Sequence, residues 1–306
     1  MTEGIANSDA LSNNRHVKLY DRWAKGGTGI SITGNVQIDH RYIERAGNVV
    51  IEGTQTNESL AALANWSQAG KQNNTQLWMQ LSHAGRQTPF SINKKSVAPS
   101  VKPMPTLGGV LKFGVPEELS HSQILDISDR FINAAEIAKQ TGFTGVQLHS
   151  AHGYLLSEFL SPNINNRTDQ WGGSIENRSR LLISIIDGIR AKVGNSFPIS
   201  IKLNSSDFQK GGFTHEESIE VAKLLNLTSL DLLEISGGTY ENFAALEIDS
   251  FNLNKMKTIK PQRSTLVREA YFLKYAEEIK KFLSIPLAVT GGFRTADGMN
   301  SALNSG

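Results

Sequence analysis

Residues 146–173 read "VQLHSAHGYLLSEFLSPNINNRTDQWGG": a short apolar run that ends in His149, His152 and Tyr154 and opens into a long polar loop. Two imidazoles three positions apart, with a phenol two positions further on, are groups that exchange protons and hydrogen bonds near neutral pH. Three readings apply. Two N–H donors converging on one oxygen would polarise a carbonyl or nitro group as negative charge builds on it, with Tyr154 releasing a proton without first carrying a formal charge. H-x-x-H is also half of a metal site, with His83 and Asp207 as further ligands, but the nearby acids Glu158 and Asp169 do not fall at strand ends. The third reading is structural, with both histidines as hydrogen-bonded core residues.

Other reactive types stand at the ends of β-rich runs. Lys202 lies in "ISIKLN", where alternation puts it on one face with Ser200. A lysine buried there needs a partner or a depressed pKa. It could form a Schiff base with a substrate carbonyl or hold a fixed anion; a charge reaching solvent is the plain alternative. Gln80 carries an amide that both donates and accepts, which suits an edge such as a flavin pyrimidine ring, where a lysine would stabilise negative charge near N1. "TGGFRT" (290–295) has consecutive glycines at the start of a helix with Arg294 nearby, a cradle for phosphate.

These residues need a scaffold that gathers strand ends. Six β-rich runs lie at 29–38, 75–82, 143–149, 198–204, 230–236 and 285–291. Amphipathic helices are expected between and around them at 12–25, 56–72, 122–140, 175–193, 215–227 and 265–283, with a short one starting near Thr295. Alternation at this spacing means parallel strands covered by helices. The chain opens on a helix without a preceding strand and closes on one without a following strand, so the expected fold is an α/β (β/α)8 TIM barrel lacking its first and last strands, a single domain over 1–306. A doubly wound sheet would normally carry G-x-G-x-x-G after an early strand, and this sequence has none. In a barrel, reactive side chains gather at the carboxyl ends of the strands, where Asn35, Gln80, His83, Arg86, His149, His152, Lys202 and Asn204 stand.

Bulk composition narrows the chemistry. With 306 residues and 39% apolar content the chain can bury a large core, and a formal charge of +2 without like-charge blocks gives no field for nucleic acid. No apolar run approaches a membrane span, and "MTEGIANSDALSNNR" lacks a signal-peptide pattern, so a cytoplasmic protein is expected. With no cysteine, thiolate nucleophiles, iron–sulfur clusters and cysteine-based zinc sites are excluded. Redox chemistry would need a borrowed organic cofactor.

"QLSHAGRQ" (80–87), "LHSAHGYLLSEFLSPNINNRTDQWGGSIENRSRLL" (148–182), "ISIKLNSSDF" (199–208) and "AVTGGFRT" (288–295) together resemble the old yellow enzyme family, FMN-dependent ene-reductases and NADH:flavin oxidoreductases on a (β/α)8 barrel. The likeness covers nearly the whole chain. It implies FMN as cofactor and NADH or NADPH as reductant. It places Gln80 and Lys202 on the FMN pyrimidine ring, Thr2 and Asn35 near its O4 and N5 side, and Gly292 and Phe293 at the phosphate. It also places His149 and His152 on the electron-withdrawing group of a small-molecule enone or similar alkene, with Tyr154 as proton donor and no metal. Many members have arginine where Lys202 stands and asparagine where His152 stands.

The resemblance further implies that one strand precedes Met1 and another follows Gly306. Two adjacent strands missing would leave unpaired edges, which a homo-oligomer is one way to cover. Two rivals follow: a catalytically impaired barrel fragment and a Schiff-base lyase using Lys202. The loop 96–118, rich in Pro and Gly, is expected to overhang the mouth.

Overall fold

Successive residues of a strand point to opposite faces, and the β-rich runs here alternate apolar residues with polar or small ones. The computed structural model of the protein, which describes residues 2–241 and 270–305, turns this alternation into one parallel sheet. Strands β1 (Ile30–Gln37), β2 (Val49–Val50), β3 (Gln76–Ser82), β6 (Gly145–Ser150), β7 (Ile199–Asn204), β8 (Leu232–Ser236) and β9 (Leu287–Val289) lie in the order β2-β1-β3-β6-β7-β8-β9. All six expected strands form. Among the described residues nothing joins the β1/β2 edge to β9, so the sheet is a partial barrel, not a closed one.

Helices α1 (Asn14–Lys25), α2 (Asn57–Gly70), α3 (His121–Gln140), α5 (Ile175–Val193) and α6 (His215–Leu225) lie between or before the strands. Their starts follow from side chains that accept otherwise unpaired N–H groups: Thr56, Ser120, Ser174 and Thr214 each cap a helix. Ser120 with Gln123, and Thr214 with Glu217, close reciprocal capping boxes. The helix expected over 265–283 runs Leu273–Lys280, with 265–269 outside the described residues, and Ala296–Asn304 follows Thr295 as its cap. No helix among the described residues is long and apolar enough to cross a membrane.

The two faces of the sheet differ in kind. Leu77, Met79, Leu148, Ile201, Leu203 and Ile235 belong to a continuous apolar core with the helices. On the opposite face Asn35, Gln80, Gln147 and Ser200 stand in one register row, and Lys202 pairs in register with Glu234. A register shift in β1 between Ile32 and Asn35 lets the Thr33 hydroxyl accept the Gln80 N–H at 2.9 Å in place of a ladder carbonyl. The N-terminal residues cross this bulge. Gly34 N donates to Glu3 Oε1 at 2.8 Å, and a Cβ on Gly34 would lie 2.1 Å from Glu3 Oε2.

Besides the short edge strand β2, three elements were not anticipated. β4 (Lys95–Ala98) and β5 (Val115–Glu118) form a separate parallel pair within the expected mouth loop, and α4 (Leu155–Leu160) follows the histidines. Four-residue strands flanked by proline and glycine carry little alternation, and a six-residue helix buried all round has no polar face to reveal its period.

Trp78 and Gly145 are register partners at the amino end of the polar face, and a Cβ on Gly145 would meet the Trp78 Nε1 at 2.7 Å. Gly145→Ala should therefore cost about 1–3 kcal/mol through overpacking. Urea unfolding would register this as a lower midpoint with unchanged slope; an unmoved midpoint would mean that the indole yields without strain.

Candidate active site

A chain of side-chain hydrogen bonds crosses the polar face. Lys202 Nζ lies 2.9 Å from Glu234 Oε1, and the Thr290 hydroxyl donates to the same oxygen. Gln147 Nε2 donates to Glu234 Oε2 at 2.7 Å, and Gln80 Nε2 donates to Gln147 Oε1 at 2.5 Å. Strand alternation and parallel register put these groups side by side from four strands. The chain ends on Gln80 Oε1, a buried acceptor without a partner, and Asn35 Oδ1 and both Gln37 amide atoms are buried in the same condition.

Further toward the carboxyl ends, β6 delivers His149 and the turn after it delivers His152 and Tyr154. The His149 ring stands 5.0 Å from that of His152 and 4.7 Å from that of Tyr154, edge to face in both cases. Burial holds the His149 imidazole well below its ordinary pKa, with neighbouring His152 adding to the effect. Burial, and then the Lys202 charge, takes His152 down to about 3. Both rings are therefore neutral at physiological pH. A neutral imidazole has one N–H, and His149 Nδ1 accepts the Ala151 N–H at 3.3 Å, so its proton sits on Nε2. That Nε2–H is buried without a partner. His152 Nε2 instead meets the Ser236 hydroxyl at 2.7 Å.

The backbone at His152 has φ +61°, a left-handed conformation uncommon outside glycine. Three contacts hold it there. Asn204 Oδ1 accepts its N–H at 3.1 Å, Gln87 Nε2 donates to its carbonyl at 3.0 Å, and it bridges to Thr239. Tyr154, 2% exposed, stands at the entry to α4 without a side-chain capping bond. Its hydroxyl meets the Glu44 carboxylate and lies 2.8 Å from the Tyr240 hydroxyl. Burial pushes the Tyr154 phenol well above its ordinary pKa, and the Glu44 charge adds to this.

Thr2 and Asn35 come together through Asn48, whose Nδ2 lies 2.9 Å from Thr2 Oγ1 and 3.2 Å from the Asn35 carbonyl. Asn35 Nδ2 in turn donates to Glu44 at 2.8 Å. Gly292 and Phe293 lie apart from this group, in the turn after β9; Gly292 has φ +72° and Phe293 lines a groove with Leu273, Leu287 and Met299. Asp207 accepts from Ser161, Asn204 and the Phe213 N–H, which occupies it as a loop brace. The alignment of His and carboxylate ligand atoms that a metal would need occurs among the described residues only at Asp39, His40 and Glu52, where Arg41 and Arg130 already supply cations.

The mouth is tied together above the sheet. Arg86 is buried, pairs with Glu241, and donates from Nη1 to the Lys102 carbonyl at 3.3 Å, linking the loop after β3 to the β4–β5 excursion. Glu158 of α4 accepts the Arg86 N–H at 2.9 Å, and a Cβ on Gly85 would lie 2.2 Å from its Oε1. Arg178 fastens α5 to the Gly173 carbonyl at 3.1 Å and to Glu217 of α6. Glu234, Gln147, Glu44 and Tyr240 were not anticipated. Alternation with Ser236 could have exposed Glu234; the approach of Glu44 to Tyr154 had no local signal.

The partial (β/α) barrel carries its row of amides and its imidazole pair at the carboxyl mouth, where barrel enzymes hold their reactive groups. The sequence matches the NADH:flavin oxidoreductase / NADH oxidase family profile over residues 1–306, and the chain belongs to that family. It is 34% identical over 322 residues to "NADH-dependent flavin oxidoreductase iliE" of Hypocrea jecorina, covering 100% of this chain and 78% of that protein. It is 29% identical to "Cinnamate reductase" of Clostridium sporogenes, over 99% of this chain but only 45% of the relative. The solved old yellow enzyme homologue of Zymomonas mobilis superposes with a TM-score of 0.78 at 25% identity, covering 100% of this chain and 80% of that one. The resemblance read from the motifs holds, and the protein is an oxidoreductase that uses FMN with NAD(P)H. The residues present fit such a group: buried amide atoms of Gln37, Asn35 and Gln80 without partners are the donors and acceptors that a flat heterocycle edge needs.

Burial pushes the Glu158 carboxyl up to about 8, partly offset by Arg86. The folded protein then binds more protons than the unfolded chain between the ordinary value of 4.5 and about 8. The associated stability is complete below that window and declines as pH rises through it, by about 1.4 kcal/mol per pH unit. Glu158→Gln should remove the slope, so the variant gains on the wild type between about pH 5 and about pH 8 in urea unfolding. Parallel stability curves would place the proton elsewhere.

Proposed function

We propose that this protein is an ene-reductase, with residues 1–306 as one flavin-binding barrel unit. FMN, when bound and reduced by NAD(P)H, supplies a hydride to the β-carbon of an activated alkene. Gln80 would offer its unpartnered Oε1 to a ring N–H of the flavin, Lys202, its ammonium held by Glu234, would supply positive charge at the pyrimidine ring, and Thr2 and Asn35 would lie near the O4 and N5 side. Gly292 and Phe293 are assigned to the phosphate end, after β9. The names of the cinnamate reductase and old yellow enzyme relatives support an alkene as substrate.

The observation that carries this reading is the His149 Nε2–H, a buried donor with its tautomer fixed and no partner. Such a donor stabilises an oxygen on which negative charge grows, here the carbonyl of an enone. His152 grips the same oxygen by exchanging its Ser236 contact, and Tyr154 delivers the proton to the α-carbon. Because both imidazoles are neutral, they polarise the carbonyl by hydrogen bonding without protonating it. A Schiff base at Lys202 is less well supported, since its ammonium is ion-paired with Glu234 and not desolvated alone.

Tyr154→Phe should slow enone reduction by about 100-fold relative to flavin reduction by NADH, the share a positioned general acid contributes. Rapid mixing of each half-reaction would measure it. Equal losses in both halves would remove Tyr154 from the protonation step.

A further inference from the structure

We propose that Glu44 resupplies the proton of Tyr154, acting as the relay between solvent and the buried phenol. The inference rests on the reading of Tyr154 as proton donor. A group that gives up a proton at every turnover must recover one, yet Tyr154 is only 2% exposed. Its hydroxyl has two partners: the Glu44 carboxylate and the Tyr240 hydroxyl. Of these, the carboxylate is the usual carrier in side-chain proton transfer, and Glu44 is only partly buried, so it reaches both the phenol and water.

The local structure aims Glu44 at this task. Asn35 Nδ2 donates to its Oε2 at 2.8 Å and Asn48 Nδ2 lies 3.3 Å from its Oε1, so amides from β1 and from the following loop hold both carboxylate oxygens. Tyr154 arrives on Oε2 from a different part of the sheet, 110 residues later in sequence. Tyr240, from the segment after β8, closes the cluster with its ring 5.8 Å from that of Tyr154. The charged neighbour is Arg45, whose field reaches Tyr240.

The proton count balances. The Tyr154 O–H bond breaks as the C–H bond forms at the α-carbon. Water protonates the Glu44 carboxylate, which passes that proton to the phenolate and returns to its charged form, leaving hydroxide to the solvent. One solvent proton enters for each hydride that NAD(P)H provides.

The test uses the FMN-loaded protein with NADH and cyclohexenone as the probe. Glu44→Gln keeps the shape and hydrogen bonding of the side chain but cannot carry a proton. It should slow enone reduction by about 10- to 100-fold with a larger solvent deuterium isotope effect, and Glu44→Asp should recover most of the rate. In a Tyr154→Phe background Glu44→Gln should cost nothing further, because the two residues act in one step. Ultraviolet titration of the tyrosines gives a readout independent of turnover: loss of the Glu44 charge should bring a phenolate in at lower pH, and Tyr154→Phe should remove that component. Normal enone reduction in Glu44→Gln, alongside slow reduction in Tyr154→Phe, would overturn the relay and leave Tyr154 as donor. Normal reduction in Tyr154→Phe would overturn the donor reading and the relay together.

Discussion

A lysine ammonium inside a sheet cannot stand alone, and the arrangement of this mouth follows from that constraint. Desolvating an ion costs several kcal/mol even after relaxation, and removing one member of a buried pair typically costs about 3–5 kcal/mol. Lys202 and Glu234, both nearly inaccessible, meet at 2.9 Å across adjacent strands, and the remaining capacity of the carboxylate is taken by Thr290 and Gln147. The pair therefore sets the orientation of Gln147, which in turn sets that of Gln80. Four strands are coupled through side chains as well as through the ladder.

Hydrogen-bond satisfaction runs out toward the mouth, where the proposed chemistry lies. The outer face of the sheet is apolar and closed by helices, whereas the inner face presents polar atoms that exceed their protein partners. Buried unpaired donors and acceptors are costly in a purely structural core. At the carboxyl ends of parallel barrel strands they are the groups that meet a ligand. His149 is the sharpest instance, because the Ala151 N–H fixes its tautomer and leaves the opposite N–H unpartnered. The strained backbone of His152, held by Asn204, Gln87 and Thr239, places the second imidazole against the first. Such a conformation persists only where its surroundings over-determine it.

The loops act as a frame around these groups. Arg86 joins the loop after β3 to the excursion that carries β4 and β5, Glu158 anchors that loop from beneath, and Arg167 reaches the carbonyls of Pro99 and Leu119 at 3.0 and 2.7 Å. Each of these side chains binds backbone from a distant part of the chain. The polar stretch 161–173 is thus a brace between α4, α5 and the excursion, with Arg167 held by Asp169.

Strand positions were legible because each run is short, rich in apolar and β-branched residues and bounded by turn-forming ones, and helix starts were legible where Thr56, Ser120 and Thr214 are hydroxyl caps. Gln80, His149 and Lys202 could be assigned to one face for the same reason: alternation is local, and parallel register carries it across the sheet. The motifs over 148–182 carry the family resemblance by themselves. What the sequence could not convey is which partners these side chains choose. Glu44 meets Tyr154 across 110 residues, Gln147 meets Glu234 across 87, and Arg86 meets Glu241 across 155. Hydrogen bonds and ion pairs depend on distances of a few ångströms between atoms, and only the closing of strands and loops in space decides those distances.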